Sequence, residues 1–479
     1  MQTKISLKRE EGLRGEISVP ADKSILHRAI LFNAVANGTA LVRAASFGRD
    51  NLASIRVMRQ LGVDIKLSLG AEMLKLAQAE GISDAKLSSD NEASVEIKGG
   101  GFSGLKPSTA PLYCGNSGTT ARLLTGILAG RPFKSTLSGD ESLTRRPFRR
   151  VVEPLTLMGA SFSGDKLPFT ISAGALRGID YDSPVASAQV KSAILLAGLQ
   201  ASGDVSISEP FCSRDHTERL LRAQGVDLET SELETGKHVV KLRHSSSCCG
   251  ETDGFKLKSI DIDVCGDFSH AAFILVAAIL IDKSDVLVRN VGFNPTRLGL
   301  WSILTRMGGK LEATNHRIVG GEEVVDLRVS SSELSCTEVK GEEVVRAIDE
   351  IPILSVAASF SNGVTRIRGA EELRVKESDR LKMIATMLMS FGVEVEEFQD
   401  GLDICGKPEL ANMWQRVVEA RVEKNQVESW KKCGDHRILM AGAVMELIIR
   451  GEFFLPDMDV VETSFPTFNE CFQLLSGGD

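Results

Sequence analysis

Six times along the chain an apolar, Ala- and Leu-rich helix candidate gives way to a glycine or polar turn and then a short alternating strand. The copies are "RAILFNAVANGTALVRAA", "TARLLTGILAGRPFKSTLSG", "VKSAILLAGLQASGDVSISEP", "HAAFILVAAILIDKSDVLVRNV", "IPILSVAASFSNGVTRIRGA" and "RILMAGAVMELIIRGEFFLPD". Helices that are apolar on nearly every side belong inside a globule. Strands that alternate bury one face and wet the other. A second helix follows most copies and ends on a glycine, at Gly62, Gly159, Gly225, Gly308 and Gly392. Glycine there accepts the left-handed conformation that closes a helix. Three copies per globule predict two similar domains, residues 22–262 and residues 1–21 plus 263–479. The short N-terminal strand "TKISLKR" is expected to return to the C-terminal globule.

Composition sets the class. The 479 residues are 43% hydrophobic and 25% charged, enough material for more than one core. A net charge of −8 argues against nucleic-acid partners, because phosphate backbones call for a basic surface. The longest apolar run, "AAFILVAAILI" at 271–281, is too short to cross a bilayer, so no membrane association is expected. The first twenty residues carry no apolar leader, and a cytoplasmic protein is the expectation. Nine scattered cysteines without a CxxC point to reduced thiols rather than a disulfide framework or zinc site. Cys248 and Cys249 lie in a polar stretch read as an exposed loop without function. No GxxxxGK[ST] loop is present and no GxGxxG is read after a strand, so neither ATP nor NAD is expected. With no GxSxG and no HExxH either, no cofactor, metal or covalent nucleophile is assigned.

Charge recurs at one place in each copy. Lys23, Ser24 and Arg28, then Asn116 to Thr120, Ser187 and Gln189, Asp267 and Ser269, Asp349, and Asp435 to Arg437 stand at the starts of the internal helices. Arg49, Arg146, Arg214, Arg297 and Arg380 stand before the second helices. Arginine opposes the helix dipole there, where Asp or Ser would stabilise. It makes sense if an anion sits between the cation and the free amides. The competing reading is that each arginine pairs with a nearby carboxylate on the surface. A cleft where these starts converge would be electropositive within an acidic protein and would hold a polyanionic small molecule.

Nine motifs in order, "DKSILHRA", "GNSGTTARLL", "GDESLTRRPFRRV", "SAQVKSAILLAGL", "SRDHTERLL", "DEIPILSVAA", "ELRVKESDRL", "GDHRILMA" and "TSFPTF", are similar to those of the enolpyruvyl transferases. Over nearly the whole chain the sequence resembles the 5-enolpyruvylshikimate-3-phosphate (EPSP) synthase family, and within it the glyphosate-insensitive bacterial class. The resemblance implies a two-domain, inside-out α/β barrel, each domain built of three βαβαββ repeats with buried parallel helices. It places the active site in the interdomain cleft. It implies transfer of the enolpyruvyl group of phosphoenolpyruvate to the 5-hydroxyl of shikimate 3-phosphate, through a tetrahedral ketal, with phosphate released. No metal or cofactor is required, a monomer is expected, and glyphosate enters as an inhibitor of the same site.

Residue roles follow motif by motif. Ser24 and Arg28 should bind the shikimate carboxylate and a neighbouring hydroxyl. Ser187 and Ser213 should hold the 3-phosphate, with Arg214 beside it and the Ala188 amide in support. Gln189 should stack near the shikimate ring and reach phosphoenolpyruvate. Lys23, Arg146, Arg380 and Arg437 should clamp phosphoenolpyruvate, with Asn116 and Gly118 lining its place. Asp349 and Lys376 should contact the reacting 5-hydroxyl, and Glu377 should move the proton at the methylene; Lys23 belongs to the catalytic set as well. Each phosphate carries about −1.5 to −2 charge, so the two substrates together bring roughly −5 to −6. Lys23, Arg28, Arg146, Arg214, Lys376, Arg380 and Arg437 are of the right number to oppose it. Among such cations Asp349 and Glu377 can stay ionised and act as bases.

Some positions depart from the family pattern. Ala21 replaces a common glycine, Ala188 a second serine, and Thr463 a lysine that touches phosphoenolpyruvate in one class. Segments 229–262 and 406–432 are longer than the family needs and read as solvent-exposed insertions. The alternatives are a UDP-N-acetylglucosamine enolpyruvyl transferase, which carries Asn where this chain has Ser24, and a non-catalytic phosphometabolite-binding homologue.

Overall fold

The computed structural model describes residues 4–7, 11–88, 93–172, 174–244, 255–410, 429–455 and 457–477. Cys248, Cys249 and the middle of both segments read as insertions lie outside the described residues. The chain divides into two compact units. The N-terminal unit is Ala21–Val264 with Val319–Glu322, and the C-terminal unit is Met1–Pro20, Cys265–Ile318 and Glu323–Asp479. Among the described residues no helix is long and apolar enough to cross a membrane.

The six repeated helices are Lys23–Ala34, Gly118–Leu128 and Ala188–Gly198 in the N-terminal unit, and Phe268–Leu280, Ile351–Ser359 and His436–Arg450 in the C-terminal unit. All are buried along nearly their full length, as their apolar circumference requires. Four begin on a side-chain cap of the kind an N-terminus selects: Asp22, Ser117, Asp267 and Asp435 each accept a backbone N–H from two or three residues on. Close approach sets some sequence. A Cβ on Gly126 would lie 2.3 Å from the Ala193 carbonyl oxygen, so helices Gly118–Leu128 and Ala188–Gly198 can meet only because that methyl is missing.

Each internal helix feeds a strand that lies inside its sheet. In the N-terminal unit these are Asn37–Ala44, Ser135–Ser138 and Ser202–Glu209. They pair in parallel with Ile262–Asp263, Leu112–Tyr113 and Arg177–Asp182, and antiparallel with Ala93–Gly100, Phe169–Ser172 and His238–Leu242. The C-terminal unit repeats the pattern. Asp285–Gly292 runs parallel to Arg14–Ser18 and antiparallel to Glu322–Ser330, and Gly363–Ile367 runs parallel to Glu338–Val339 and antiparallel to Gly401–Gly406. The last copy is reduced to Glu452–Phe453, which the N-terminal Ile5–Ser6 joins antiparallel. The N-terminal strand does return to the C-terminal unit.

The second helices close alike. At Gly62, Gly159, Gly225, Gly308 and Gly392 φ is positive. In all five the next residue's N–H reaches back five residues, as from Val63 to Met58 and from Val393 to Leu388. That is the double bond of a left-handed helix cap, five times over.

Three sequence expectations need correction. His238–Leu242, inside one supposed insertion, pairs with Leu228–Glu232 in a hairpin that completes the sheet of Ser202–Glu209. Val239, Val240 and Leu242 are buried there, and the run of charge around them hid the alternation. Trp430, inside the other, is buried against Gly442 and donates to the Ser390 hydroxyl at 3.0 Å. Finally, Gly99–Gly104 spells GxGxxG overlapping the end of the strand Ala93–Gly100. It leads into a single 3-10 turn, Phe102–Gly104, rather than a helix, so it offers no helix N-terminus to a dinucleotide.

Candidate active site

In the N-terminal unit the predicted residues gather at the starts of the three internal helices. Lys23 opens the first and pairs with Asp50 at 2.6 Å, while its carbonyl accepts from Asn51 at 3.3 Å. Ser24 follows, half-buried. Arg28, one turn on, is only 3% exposed. It donates through Nε to the Thr217 hydroxyl at 2.7 Å, through Nη2 to Ser192 at 2.9 Å and through Nη1 to the Ser24 carbonyl at 3.0 Å. Burial lowers its pKa to about 10, which still leaves it charged at neutral pH. Two of its five N–H groups stay uncommitted by these bonds, so a ligand carboxylate could be met only by that remainder.

The second helix start carries Asn116 and Gly118. The Asn116 side chain accepts from Arg146 Nη2, which also donates to Ser142 at 3.2 Å. The third start carries Ser187, Ala188 and Gln189. Gln189 is held between the Thr119 hydroxyl at 2.9 Å and Arg122 Nη1 at 2.6 Å, and the Arg122 guanidinium lies 5.0 Å over the Phe148 ring. Ser213 and Arg214 precede the helix His216–Ala223. Both donors of Ser213 point inward: its N–H and hydroxyl reach the Glu209 carboxylate at 2.8 and 2.9 Å.

In the C-terminal unit Asp349, Lys376, Glu377, Arg380 and Arg437 form the second set. Arg380 is the hub. Its Nε donates to Asp435 Oδ2 at 2.8 Å, Nη1 to Asp349 at 3.3 Å, and Nη2 to Glu377 and to Asp435 Oδ1 at 3.3 Å. Four of its five N–H groups are committed. Burial alone would lower its pKa, but Asp435, Glu377 and Asp349 raise it far above the ordinary value. Arg437 Nη1 donates to the Asp349 carbonyl at 3.0 Å, and its Nη2 lies 3.8 Å from the Asp349 carboxylate. Lys376 follows the 3-10 turn Glu371–Val375; burial lowers its pKa, against the pull of Asp349 and Glu372.

Not every arginine at a second-helix start joins these sets. Arg297 is buried on Asp267 at 2.8 Å and Ser269 at 2.6 Å, and Arg49 lies 3.8 Å from Glu80. Arg49 fits the surface-pairing reading, whereas Arg297 is paired in the interior. Thr463 turns its hydroxyl to the Val460 carbonyl at 2.6 Å. Sequence reasoning passed over Asp50, Arg122, Lys191, Glu209, Glu218 and Asp435 as partners. Lys191 was detectable as a charge inside an apolar helix, which must be paired. Arg122 was detectable four residues after Gly118, on the same helix face.

Among the described residues, the ligand atoms of Glu209, Cys212 and His238 lie within 4.8 Å of one another. The trio fits a metal poorly. Burial pushes the Cys212 thiol up to about 11, and the Glu209 oxygens already serve Lys191 and Ser213.

Two α/β units, each with arginine, lysine and carboxylate at its helix starts, present the groups that hold small anions. The model of the EPSP synthase (3-phosphoshikimate 1-carboxyvinyltransferase) family matches residues 7–81 and 70–472, and the chain belongs to that family. A 3-phosphoshikimate 1-carboxyvinyltransferase of Geotalea uraniireducens is 44% identical over 98% of both chains. That of Geobacter metallireducens is 44% identical over 96% of each. Among solved structures, EPSP synthase from Acinetobacter baumannii superposes with a TM-score of 0.75 at 36% identity, covering 98% of this chain and 97% of that one. The enolpyruvyl transferase NikO from Streptomyces tendae, 14% identical with a TM-score of 0.67 over 99% and 97% of the chains, shares the fold.

Proposed function

We propose that the chain transfers the enolpyruvyl group of phosphoenolpyruvate to the 5-hydroxyl of shikimate 3-phosphate and releases phosphate, its two residue sets serving one reaction. The observation that carries this reading is the 44% identity to a 3-phosphoshikimate 1-carboxyvinyltransferase along 98% of both chains. Lys23, Ser24, Arg28, Ser187, the Ala188 amide, Gln189, Ser213 and Arg214 take shikimate 3-phosphate. Lys23, Asn116, Gly118, Arg146, Gln189, Arg380 and Arg437 take phosphoenolpyruvate.

The chemistry follows from the C-terminal set. Asp349, with Lys376 beside it, accepts the 5-hydroxyl proton as the oxygen bonds C2 of phosphoenolpyruvate. Glu377, carrying the proton into this step, delivers it to C3, giving a tetrahedral ketal. As the carboxylate it then takes a proton back from that carbon while the C2–O bond to phosphate breaks, and the proton held by Asp349 leaves with the phosphate. Arg380 ties Asp349 and Glu377 to one guanidinium, so the acid and base are preset in relation to each other. Fixed cations stabilise the charge that moves onto the departing phosphate.

The ordered motifs further support placing the chain with the glyphosate-insensitive bacterial class, as a cytoplasmic monomer. Purified protein incubated with both substrates in EDTA should release phosphate only when shikimate 3-phosphate is present. Release with UDP-N-acetylglucosamine instead would assign the sister reaction, and release with neither would overturn the reading.

A further inference from the structure

Lys191 has no part in the reaction just described, yet it sits at the centre of a fully buried ionic cluster. Its side chain is 0% exposed, and its Nζ lies 2.8 Å from Glu209 Oε1 and 2.8 Å from Glu218 Oε1, carboxylates that are 1% and 0% exposed. Burial alone would lower the Lys191 pKa, but Glu218 and Glu209 outweigh it and hold the ammonium charged. Glu218 also attracts Arg28, so two cations face two carboxylates in the interior. Buried charge on this scale persists only when it is balanced and hydrogen-bonded. Losing one member would leave its partners stranded.

The cluster converges on Ser213. Glu209 Oε1 accepts the Ser213 N–H at 2.8 Å, both Glu209 oxygens accept its hydroxyl at 2.9 and 2.8 Å, and Lys191 Nζ donates to its carbonyl at 3.2 Å. Every polar group of Ser213 is thus tied to the Lys191–Glu209 pair. Only the hydroxyl can be released without moving the backbone, by rotation about one bond. A hydroxyl has one proton, and while Glu209 holds it, a phosphate would meet only lone pairs. Once the hydroxyl turns, Glu209 Oε1 keeps Lys191 and the Ser213 N–H, while Oε2 gives up the hydroxyl, a loss the new bond to phosphate must offset.

Resting on the function proposed above, we propose that Glu209, paired with Lys191, is a positioning residue for the phosphate of the acceptor substrate. It touches no substrate itself. It fixes the Ser213 main chain, and with it the approach to Arg214, and it stores the Ser213 hydroxyl until a phosphate claims it. Lys191 supplies the balancing charge that allows a carboxylate to stand behind an anion site.

The test uses the full-length protein and initial rates with each substrate varied in turn. Glu209→Ala is expected to raise the KM for shikimate 3-phosphate about tenfold, the scale of one hydrogen bond to a charged group. The phosphoenolpyruvate KM should stay within about twofold, a split that a merely structural role would not produce. Glu209→Gln, which keeps an oxygen for the Ser213 N–H, should recover most of that loss. In a Ser213→Ala background the Glu209→Ala effect should shrink, because the two residues act on one contact. If Glu209→Ala cannot be recovered folded, Glu209→Asp replaces it, since it keeps the charge beside Lys191 but shortens the reach to Ser213. An acceptor KM unchanged in these variants, while Ser213→Ala raises it, overturns this inference and leaves the proposed function standing. Equal rises in both KM values with a fall in Tm, or effects that simply multiply, also overturn it. If Ser213→Ala and Arg214→Ala both leave the acceptor KM unchanged, the phosphate does not bind there, and the site assignment falls with the inference.

Discussion

Arg380 Nε donates to Asp435 Oδ2 at 2.8 Å, with both side chains shut away from solvent. Asp435 also caps the last internal helix through the Arg437 N–H at 3.0 Å and accepts from Ser378 at 3.0 Å. One carboxylate therefore holds the guanidinium of Arg380 and the main chain of Arg437, two arginines assigned to phosphoenolpyruvate. Asp435→Asn keeps a cap oxygen but removes the charge. Breaking one side of a buried ion pair costs about 3–5 kcal/mol, and we expect a loss near the lower end, together with a raised phosphoenolpyruvate KM. Urea unfolding reads the first and steady-state kinetics the second. A stability change below about 1 kcal/mol would show that Arg380 is balanced well enough by Asp349 and Glu377.

Arg146 and Glu377 separate binding from chemistry. Arg146 is anchored by Asn116 and Ser142, and the role proposed for it is to hold substrate charge in ground and transition states alike. Arg146→Ala should therefore raise the phosphoenolpyruvate KM with a smaller change in kcat. Glu377→Gln removes the proposed proton carrier while keeping an oxygen for the Arg380 contact, and should lower kcat by about 10²–10⁴ at similar KM. Near-wild-type kinetics in either variant would dismiss that residue's role.

His27 makes a pH prediction. Its Nδ1 lies 2.8 Å from the Ser54 hydroxyl, which lies 2.7 Å from that of Thr120, which in turn reaches Ser117, the cap of the second internal helix, at 2.7 Å. Burial, then the Lys23 and Arg28 charges, hold the His27 pKa well below 6.5. The unfolded chain then binds a proton that the folded one refuses. Stability from this group is complete above about pH 6.5 and is lost as pH falls from there toward the lowered value. Wild type should lose Tm over that window by more than His27→Gln does. Parallel Tm–pH curves for the two proteins would show that His27 is not the source.

Much of the fold could be read ahead because it is local and repeated. Apolar runs such as Phe268–Leu280, caps such as Asp267 and closing glycines such as Gly392 each declare themselves within a few residues. The hairpin Leu228–Leu242 was missed because charged residues interrupt its alternation and only pairing with Ser202–Glu209 defines its buried face. Residue partnerships divided the same way. Lys23 and Arg380 are singled out by motif and Asp435 as a helix start, but Glu209 is not. The tie of Asp435 to Arg380 spans 55 residues, which a linear pattern does not bring together, and that of Glu209 to Ser213 lies in a turn with no periodic signal.

Gly118 tests how tightly the arginines are packed. A Cβ there would lie 2.7 Å from Arg122 Nη1 and 3.3 Å from Arg146 Nη1. Both are ends of long side chains, so the fold can absorb a methyl by moving them. Gly118 is also the first residue of its helix, where Ala is no worse than Gly for stability. The cost of Gly118→Ala should therefore appear in function. Arg122 would lose its 2.6 Å bond to Gln189, and Arg146 would be pushed off Asn116. We expect Tm unchanged or slightly raised, and the phosphoenolpyruvate KM raised severalfold, because a displacement of about 1 Å is enough to spoil a fitted charge contact. An unchanged KM at unchanged Tm would mean that neither arginine needs its present position to hold the substrate.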